Sequence, residues 1–393
     1  MSRLVLKFGG TSVGSLERIE AVAEQVMALR SLGHQLVVVV SAMAGETNRL
    51  VEMAYRLSAT PNPRELDMLM ATGEQVSMSL LATVLSARGC PARSFTGGQA
   101  GIVTSSVHGG AMIENIDTAA LEANLAEGAV AIVAGFQGCD AMGEITTLGR
   151  GGSDYTAVAL AAALAADECQ IFTDVDGVYS ADPRIVPSAV RHDCIRFTDM
   201  LAMAEHGAKV LQYQSVHSAY ELNVPLRVLS SFTAGHSTLV TFDHLCPVKP
   251  IAGLAGVAQL LITIPSKYLI EFRTNLTELN LQFQLLQEQA DDVTLIVCDS
   301  DEGKIPLELK QRIRHIIKVF TLSIVGQSAE TIRHHAIEAL SLQGIAVHQY
   351  SLADSRLSLT VDSDDYPQAA TLLHEKFVVC DEFIDNAPLL AVS

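Results

Sequence analysis

Four short strings in this 393-residue chain carry side chains suited to handling phosphate and carboxylate groups. The first, RLVLKFGGTSV (3–13), runs an apolar stretch into Lys7, followed by Phe8, Gly9 and Gly10. A cation at the tip of a buried strand can neutralise the charge that spreads over a phosphoryl group in transfer. Taken alone, Lys7 can equally carry its ammonium out to water on an apolar stem. The second string, TTLGRGGSDYTAVALAAALAAD (146–167), sets a glycine pair before Ser153 and Asp154 and then an alanine-rich helix. Amides and dipole at such a helix start attract anions, although a glycine-rich turn by itself is also a plain tight connection. Asp154 falls in the first turn, where it either holds a cation such as Lys7 or simply starts the helix. The third, CQIFTDVDGVYSADPRIVPSA (169–189), leaves a strand for a loop bearing Thr173, Asp174, Asp176, Tyr179, Asp182 and Arg184. Those groups can hold a ribose, an adenine edge and magnesium-linked phosphates, and the same D-G and D-P signals also make a long surface turn. In the fourth, ATGEQVSMSLL (71–81), Thr72 and Gln75 stand in capping-box spacing, which predicts a helix start with Glu74 in its first turn. Glu74 can there accept an ammonium or merely complement the dipole. Neither G-x-x-x-x-G-K-[ST] nor G-x-G-x-x-G occurs, which disfavours a P-loop and a dinucleotide fingerprint.

The elements that must position these groups are bounded by composition. With 49% apolar residues the chain has core enough for two or three domains. A net charge of -18 argues against nucleic acid and anionic membrane partners for the chain as a whole, while leaving room for a local cationic pocket. The seven cysteines, Cys90, Cys139, Cys169, Cys194, Cys246, Cys298 and Cys380, are scattered, odd in number and without a C-x-x-C pair, which suits a reducing cytoplasm. No unbroken apolar run approaches the ~18 residues of a membrane span, and the first residues lack a signal-peptide layout.

Up to about residue 245 short valine- and isoleucine-rich strands, at 3–8, 35–41, 129–134, 169–173 and 225–229, alternate with helical patterns. Between the first two strands Ile19, Val22, Val26 and Leu29 recur at helical spacing, with Ser15 as cap and Gly33 as stop. This predicts an α/β fold: a mostly parallel sheet covered by helices on both faces, with ligands at the carboxyl ends of the strands. After Pro247, Pro250 and Gly253 the character changes to two small α+β units, each readable as strand, helix, strand, strand, helix, through segments 258–264, 293–298, 320–325, 345–352 and 355–361.

Taken together, KFGGTSV (7–13), VSAMAGETN (40–48), TGEQ (72–75), TGGQAGI (96–102), GFQG (135–138), TTLGRGGSDYTA (146–157), FTDVDGVYSADPRIV (172–186) and GAKVL (207–211) closely resemble the aspartate kinases of the amino acid kinase superfamily. The resemblance covers residues 3–240 and implies a catalytic domain over 1–245. It is followed by ACT-like βαββαβ modules over 251–320 and 321–393 that share strands or stand side by side. It implies transfer of phosphate from ATP, with Mg²⁺, to the β-carboxylate of L-aspartate, giving 4-phospho-L-aspartate, the first step toward lysine, threonine and methionine. By the same resemblance Lys7, Gly9 and Gly10 contact the phosphates and Asp154 organises the cations around them. Ser41, Thr47, Glu74 and Arg150 hold aspartate, Glu74 taking the α-ammonium and Arg150 the α-carboxylate. Ser153, Thr173, Asp174, Tyr179, Asp182, Arg184 and Lys209 stand on the nucleotide side. No side chain need form a covalent intermediate, and no protein metal ligands are implied. A sister kinase for glutamate or N-acetylglutamate would share Lys7 and Asp154 without the pair Glu74 and Arg150; a non-catalytic assembly subunit would show losses in the phosphate motifs, and none is found.

The sequence also departs from the family pattern. Gln212, Tyr213 and Gln214 replace a common His-Pro-Arg, and Gly98 stands where tryptophan is common. Effector loops in ACT modules usually carry Pro-Gly; here Ser266, Lys267, Tyr268 and Leu269 occupy the first and Ser328 to Glu330 the second, so that the second too lacks its glycine. His334 and His335 read as surface helix residues. The modules are therefore expected to serve subunit contacts in a homo-oligomer more than effector sensing, with apolar faces made by Ile262, Ile264, Leu295, Val297, Leu322 and Ile324.

Overall fold

The computed structural model describes residues 2–279, 281–353 and 355–379. The chain divides into two compact units, one of Met1–Val178, Arg191–Leu201 and Lys209–Pro247, the other of Tyr179–Val190, Ala202–Ala208 and Val248–Ser393. The carboxyl end of the module expected to reach 393 lies outside the described residues, as does Cys380.

The first unit is built on an eight-stranded sheet whose spatial order is Cys194–Arg196, Ser237–Thr241, Leu226–Ser230, Glu168–Thr173, Arg3–Phe8, Gln35–Val40, Val130–Ala134, Ala92–Phe95. Only Leu226–Ser230 and Ser237–Thr241 pair antiparallel; the other neighbours are parallel. Parallel neighbours need long crossovers, which the helices supply. Helix Leu16–Ser31 is capped as expected, Ser15 Oγ accepting from Arg18 N at 3.3 Å, and the chain turns away at Gly33 with φ 87°. A second, four-stranded sheet has the spatial order Ile113–Ile116, Ile102–Thr104, Gln137–Asp140, Ile145–Thr147. Its strands are three or four residues long, too short for a periodic signal, and the sequence did not announce them.

Helix Pro63–Ala87 corrects one reading. It runs 25 residues from Asn62, whose side chain accepts from Arg64 N at 3.0 Å, with Pro63 in the first turn. Asn-Pro is the stronger start signal, so Thr72 is no cap: its hydroxyl donates to the Leu69 carbonyl at 2.7 Å. Glu74 lies in mid-helix, outside the reach of the amino-terminal dipole. By length and composition this helix could also cross a membrane, which a search for unbroken apolar runs overlooks. In the fold Met78, Leu81 and Leu85 pack into the core with Leu4, Leu6, Phe8, Val38 and Ile132.

Two of the scattered cysteines, Cys194 and Cys246, are brought together by the fold with Cα atoms 6.0 Å apart.

In the second unit the repeated strand, helix, strand, strand, helix order is realised twice, and the two copies fuse into one six-stranded antiparallel sheet. The first strands of the copies, Gly253–Pro265 and His315–Val325, pair over Gly253↔Val325 to Thr263↔His315 and form the middle of that sheet. Ile262, Ile264, Leu295 and Val297 enter one core with Phe272 and Leu276; Leu322 and Ile324 enter another with Leu340, Leu373 and Phe377. Ala181 and Val186 belong to this second core. Buried His374 fastens the same stretch, meeting Ser180 Oγ at 2.8 Å and Ser188 Oγ at 3.2 Å through its two ring nitrogens. Gly326 precedes the second loop, and a Cβ there would clash with the Pro250 carbonyl oxygen.

Candidate active site

Pleating decides where Lys7 points. Leu4, Leu6 and Phe8 bury toward Ile19, Val22 and Val26 of helix Leu16–Ser31, so Val5 and Lys7 take the opposite face. Helix Gly152–Ala163 meets the strand there, with Asp154 in its first turn. Lys7 Nζ lies 2.6 Å from Asp154 Oδ1, the side chains only 11% and 12% exposed. Burying such a pair gains little for folding, because desolvation offsets the attraction. Asp154 satisfies one of the three donors of the ammonium and leaves the others for a ligand.

Glu74 reaches the site through a close approach. A Cβ on Gly73 would stand 2.8 Å from the Ala42 Cβ, so only glycine lets the helix lie against the end of strand Gln35–Val40. Ala42 N then donates to Glu74 Oε1 at 3.0 Å. Glu74 Oε2 is buried with no hydrogen-bond partner among the described residues. Burial pushes the carboxyl up to about 7, against the opposing effect of the Ala42 amide.

Both groups open on one cavity of about 660 Å³, whose wall also includes Gly10, Ser41, Thr47, Arg150 and Ser153. Eight of the expected residues thus meet in one place. Arg150 is exposed there and pairs with no carboxylate among the described residues. Gly10 rather than Gly9 lines the cavity, for the Gly9 amide donates to the Phe172 carbonyl at 3.2 Å and is not available to a phosphate. Thr173, Asp174 and Lys209 belong to the same unit but not to this wall; the Thr173 hydroxyl donates to Asp174 Oδ1 at 3.1 Å. Tyr179, Asp182 and Arg184 fall in the second unit, where Arg184 grips Asp182 through Nε at 2.9 Å and Nη2 at 2.7 Å.

The wall contains residues that motif reading left unassigned. Phe136 adopts φ 68°, an unusual value for a bulky residue, held by its amide on Thr156 Oγ1 at 3.1 Å and its carbonyl on Leu148 N at 2.9 Å. Met70, Gly109, Thr147 and Gln212 also face the cavity. Gln212, where histidine is common, turns its carbonyl into the start of helix Tyr213–Glu221, accepting from Ser215 N at 3.1 Å and Val216 N at 3.2 Å. The place of the missing tryptophan is filled as well: a Cβ on Gly98 would stand 2.5 Å from Cys139 Sγ. His334 and His335 are exposed on helix Arg333–Leu342, as expected. Among the described residues no group of three or more His, Cys, Asp or Glu side chains converges to hold a metal ion.

A cation fixed by a carboxylate, an unsatisfied buried carboxylate and a free guanidinium around one cavity suit a small zwitterionic acid beside a phosphoryl donor. Comparison with known proteins agrees. Residues 2–230 match the model of the amino acid kinase family. The chain is 44% identical to an aspartate kinase of Pseudomonas putida, over 96% of this chain and 98% of that protein. It is 41% identical to aspartokinase 2 of Bacillus subtilis, over 96% and 98% of the two chains. Its fold is similar to that of E. coli aspartokinase III in complex with aspartate and ADP, with TM-score 0.74 at 26% identity, covering 95% of this chain and 99% of the other.

Proposed function

We propose, on the premise that the chain belongs to the aspartate kinases of the amino acid kinase family, that it transfers the γ-phosphoryl group of ATP to the β-carboxylate of L-aspartate. The observation that carries this reading is Glu74, a buried carboxylate with an unpartnered oxygen, set in the same cavity as the Lys7–Asp154 pair. An α-ammonium placed at Glu74 Oε2 completes that carboxylate's hydrogen bonding and restores its charge. Arg150 can take the α-carboxylate with two parallel hydrogen bonds. Held by both charged groups of its α-carbon, aspartate presents its side-chain carboxylate toward Lys7.

Transfer then needs alignment and positive charge rather than a covalent enzyme intermediate. One β-carboxylate oxygen attacks the γ-phosphorus, the bond to the bridging oxygen breaks, and ADP leaves with that electron pair. Lys7, held by Asp154, neutralises the charge growing on the transferred group, and the Gly10 amide and the start of helix Gly152–Ala163 face the same oxygens. Mg²⁺ enters as part of the nucleotide substrate. Thr173, Asp174, Tyr179, Asp182, Arg184 and Lys209 are assigned to the nucleotide on the motif resemblance, with Ser41 and Thr47 assigned to aspartate. The product, 4-phospho-L-aspartate, is the activated acid from which lysine, threonine and methionine synthesis proceeds. The proposal extends to a cytoplasmic homodimer joined through the six-stranded sheets.

ADP release, with hydroxylamine trapping of the acyl phosphate, tests the substrate across aspartate, glutamate and N-acetylglutamate. Aspartate should be preferred by orders of magnitude over N-acetylglutamate, whose amide has no charge for Glu74. Equal turnover of the acetylated acid would overturn the assignment.

A further inference from the structure

The helix that carries Glu74 also carries Asp67, and the two lie on one face with Met70 between them, at spacings of three and four residues. Met70 and Glu74 line the cavity, whereas Asp67 lies behind it and is fully buried. Its carboxylate is saturated. Oδ1 accepts from Thr147 Oγ1 at 2.5 Å and Gly109 N at 3.1 Å; Oδ2 accepts from Gly109 N at 3.1 Å and Thr147 N at 3.2 Å and meets His108 Nδ1 at 2.8 Å. A buried carboxylate is a costly occupant for a helix whose neighbouring positions are Leu66, Met68 and Leu69, and here it is satisfied by donors drawn from a distant loop and strand.

What the carboxylate joins are parts of the cavity wall. Gly109 and Thr147 both face the cavity. Ala111 N donates to the Thr147 carbonyl at 2.8 Å, binding the 109–111 loop to the same strand. The α-carbon of Gly149 packs on that loop, its missing Cβ pointing 3.7 Å from the Gly109 carbonyl. Arg150 follows at once. Asp67 therefore ties the helix that bears Glu74 to the loop and strand that lead to Arg150, the two residues assigned to the ammonium and the carboxylate on the α-carbon of the amino acid.

We propose that Asp67 is a positioning residue for the amino acid substrate, setting the separation between Glu74 and Arg150 without touching the ligand. The inference rests on the functional reading given above. It concerns the amino acid alone: the side-chain bonds of Asp67 run from the helix to the loop and the strand, and none to Lys7, Asp154 or Ser153.

Asp67→Asn keeps the shape but turns one acceptor into a donor facing the donors Gly109 N and Thr147 N. His108→Ala and Thr147→Val remove single bonds and serve if the first variant folds poorly. Amide hydrogen exchange on the full chain, without substrate, reads the tie directly: protection at residues 108–112 and 146–150 should fall while that of strands 3–8 and 35–40 holds. In steady-state assays the aspartate KM should rise on the order of tenfold to a hundredfold, with the ATP KM within about twofold of wild type. Unchanged exchange in the 108–112 loop, or equal shifts in both KM values, would overturn the inference. A wild-type chain that fails to phosphorylate aspartate would sink the functional reading instead, leaving the exchange result to decide whether Asp67 holds the wall.

Discussion

Lys7 Nζ and Asp154 Oδ1 stand 2.6 Å apart at the meeting of a strand tip and a helix start. The pair is arranged so that the cation, already paid for in desolvation, is directed by its partner toward the cavity.

Lys7→Ala should therefore fold and lose turnover. Removing one fixed positive charge from a developing phosphoryl group costs ~3 kcal/mol or more, about a hundredfold in kcat. Circular dichroism checks the fold and coupled ADP release the rate; near-normal turnover in a folded variant would exclude Lys7 from the chemistry.

Glu74 gives a pH signature. Burial raises its carboxyl from 4.5 to about 7, so the folded chain retains a proton that the unfolded chain releases between those values. Stability from this group is fully present below pH 4.5 and is lost as pH rises through about 7. Glu74→Gln removes that loss, so its Tm should exceed wild type's at about pH 8, by up to ~3 kcal/mol in stability, and the gap should close toward about pH 5. Activity moves the other way, because the ammonium needs an ionised partner: wild-type kcat/KM for aspartate should fall below about pH 7. In Glu74→Gln that acid limb disappears and the aspartate KM rises, with the ATP KM nearly unmoved. A Tm gap independent of pH would contradict this account.

Gly98 and Cys139 are coupled. A Cβ at 98 would meet Cys139 Sγ at 2.5 Å, so Gly98→Ala should destabilise by ~1–3 kcal/mol through overpacking. Combining it with Cys139→Ala, which removes the sulfur, should recover most of that loss in a double-mutant cycle of urea melts. Additive effects would mean that the two positions do not share the space.

The loop at Ser266–Leu269, where the family resemblance puts an effector loop, gives a prediction about regulation. Ser266–Tyr268 forms a 3₁₀ turn running into helix Leu269–Glu278, and the Tyr268 ring lies 4.8 Å from the Arg312 guanidinium and 4.9 Å from Lys267 Nζ. A ring held there blocks the backbone approach that an amino acid effector needs. Lysine and threonine, alone or together, should inhibit weakly or not at all at sub-saturating aspartate. Half-inhibition below about 1 mM, an affinity near 4 kcal/mol, would reveal a working site.

Much of this was legible in the residues themselves. The valine-rich strands, the Ser15 cap and the anionic helix start at Asp154 are local signals, because hydrogen-bonding caps and pleat periodicity act over a few residues. The residues proposed for substrate and phosphate were legible as candidates through the motif resemblance. What only the tertiary structure decided is which of these groups share a cavity and in what state. Thr72 and Gln75 imitate a cap, yet Asn62 and Pro63 start the helix earlier, and Glu74 in mid-helix has its carboxyl raised by burial where a helix start would have lowered it. Gly9 reads like Gly10, but strand pairing commits its amide to Phe172. Asp67 carries no sequence signal at all, because its partners His108, Gly109 and Thr147 are distant along the chain and become neighbours only when helix, loop and strand close around one wall. Burial and long-range hydrogen bonding are properties of the packed chain, and no local pattern encodes them.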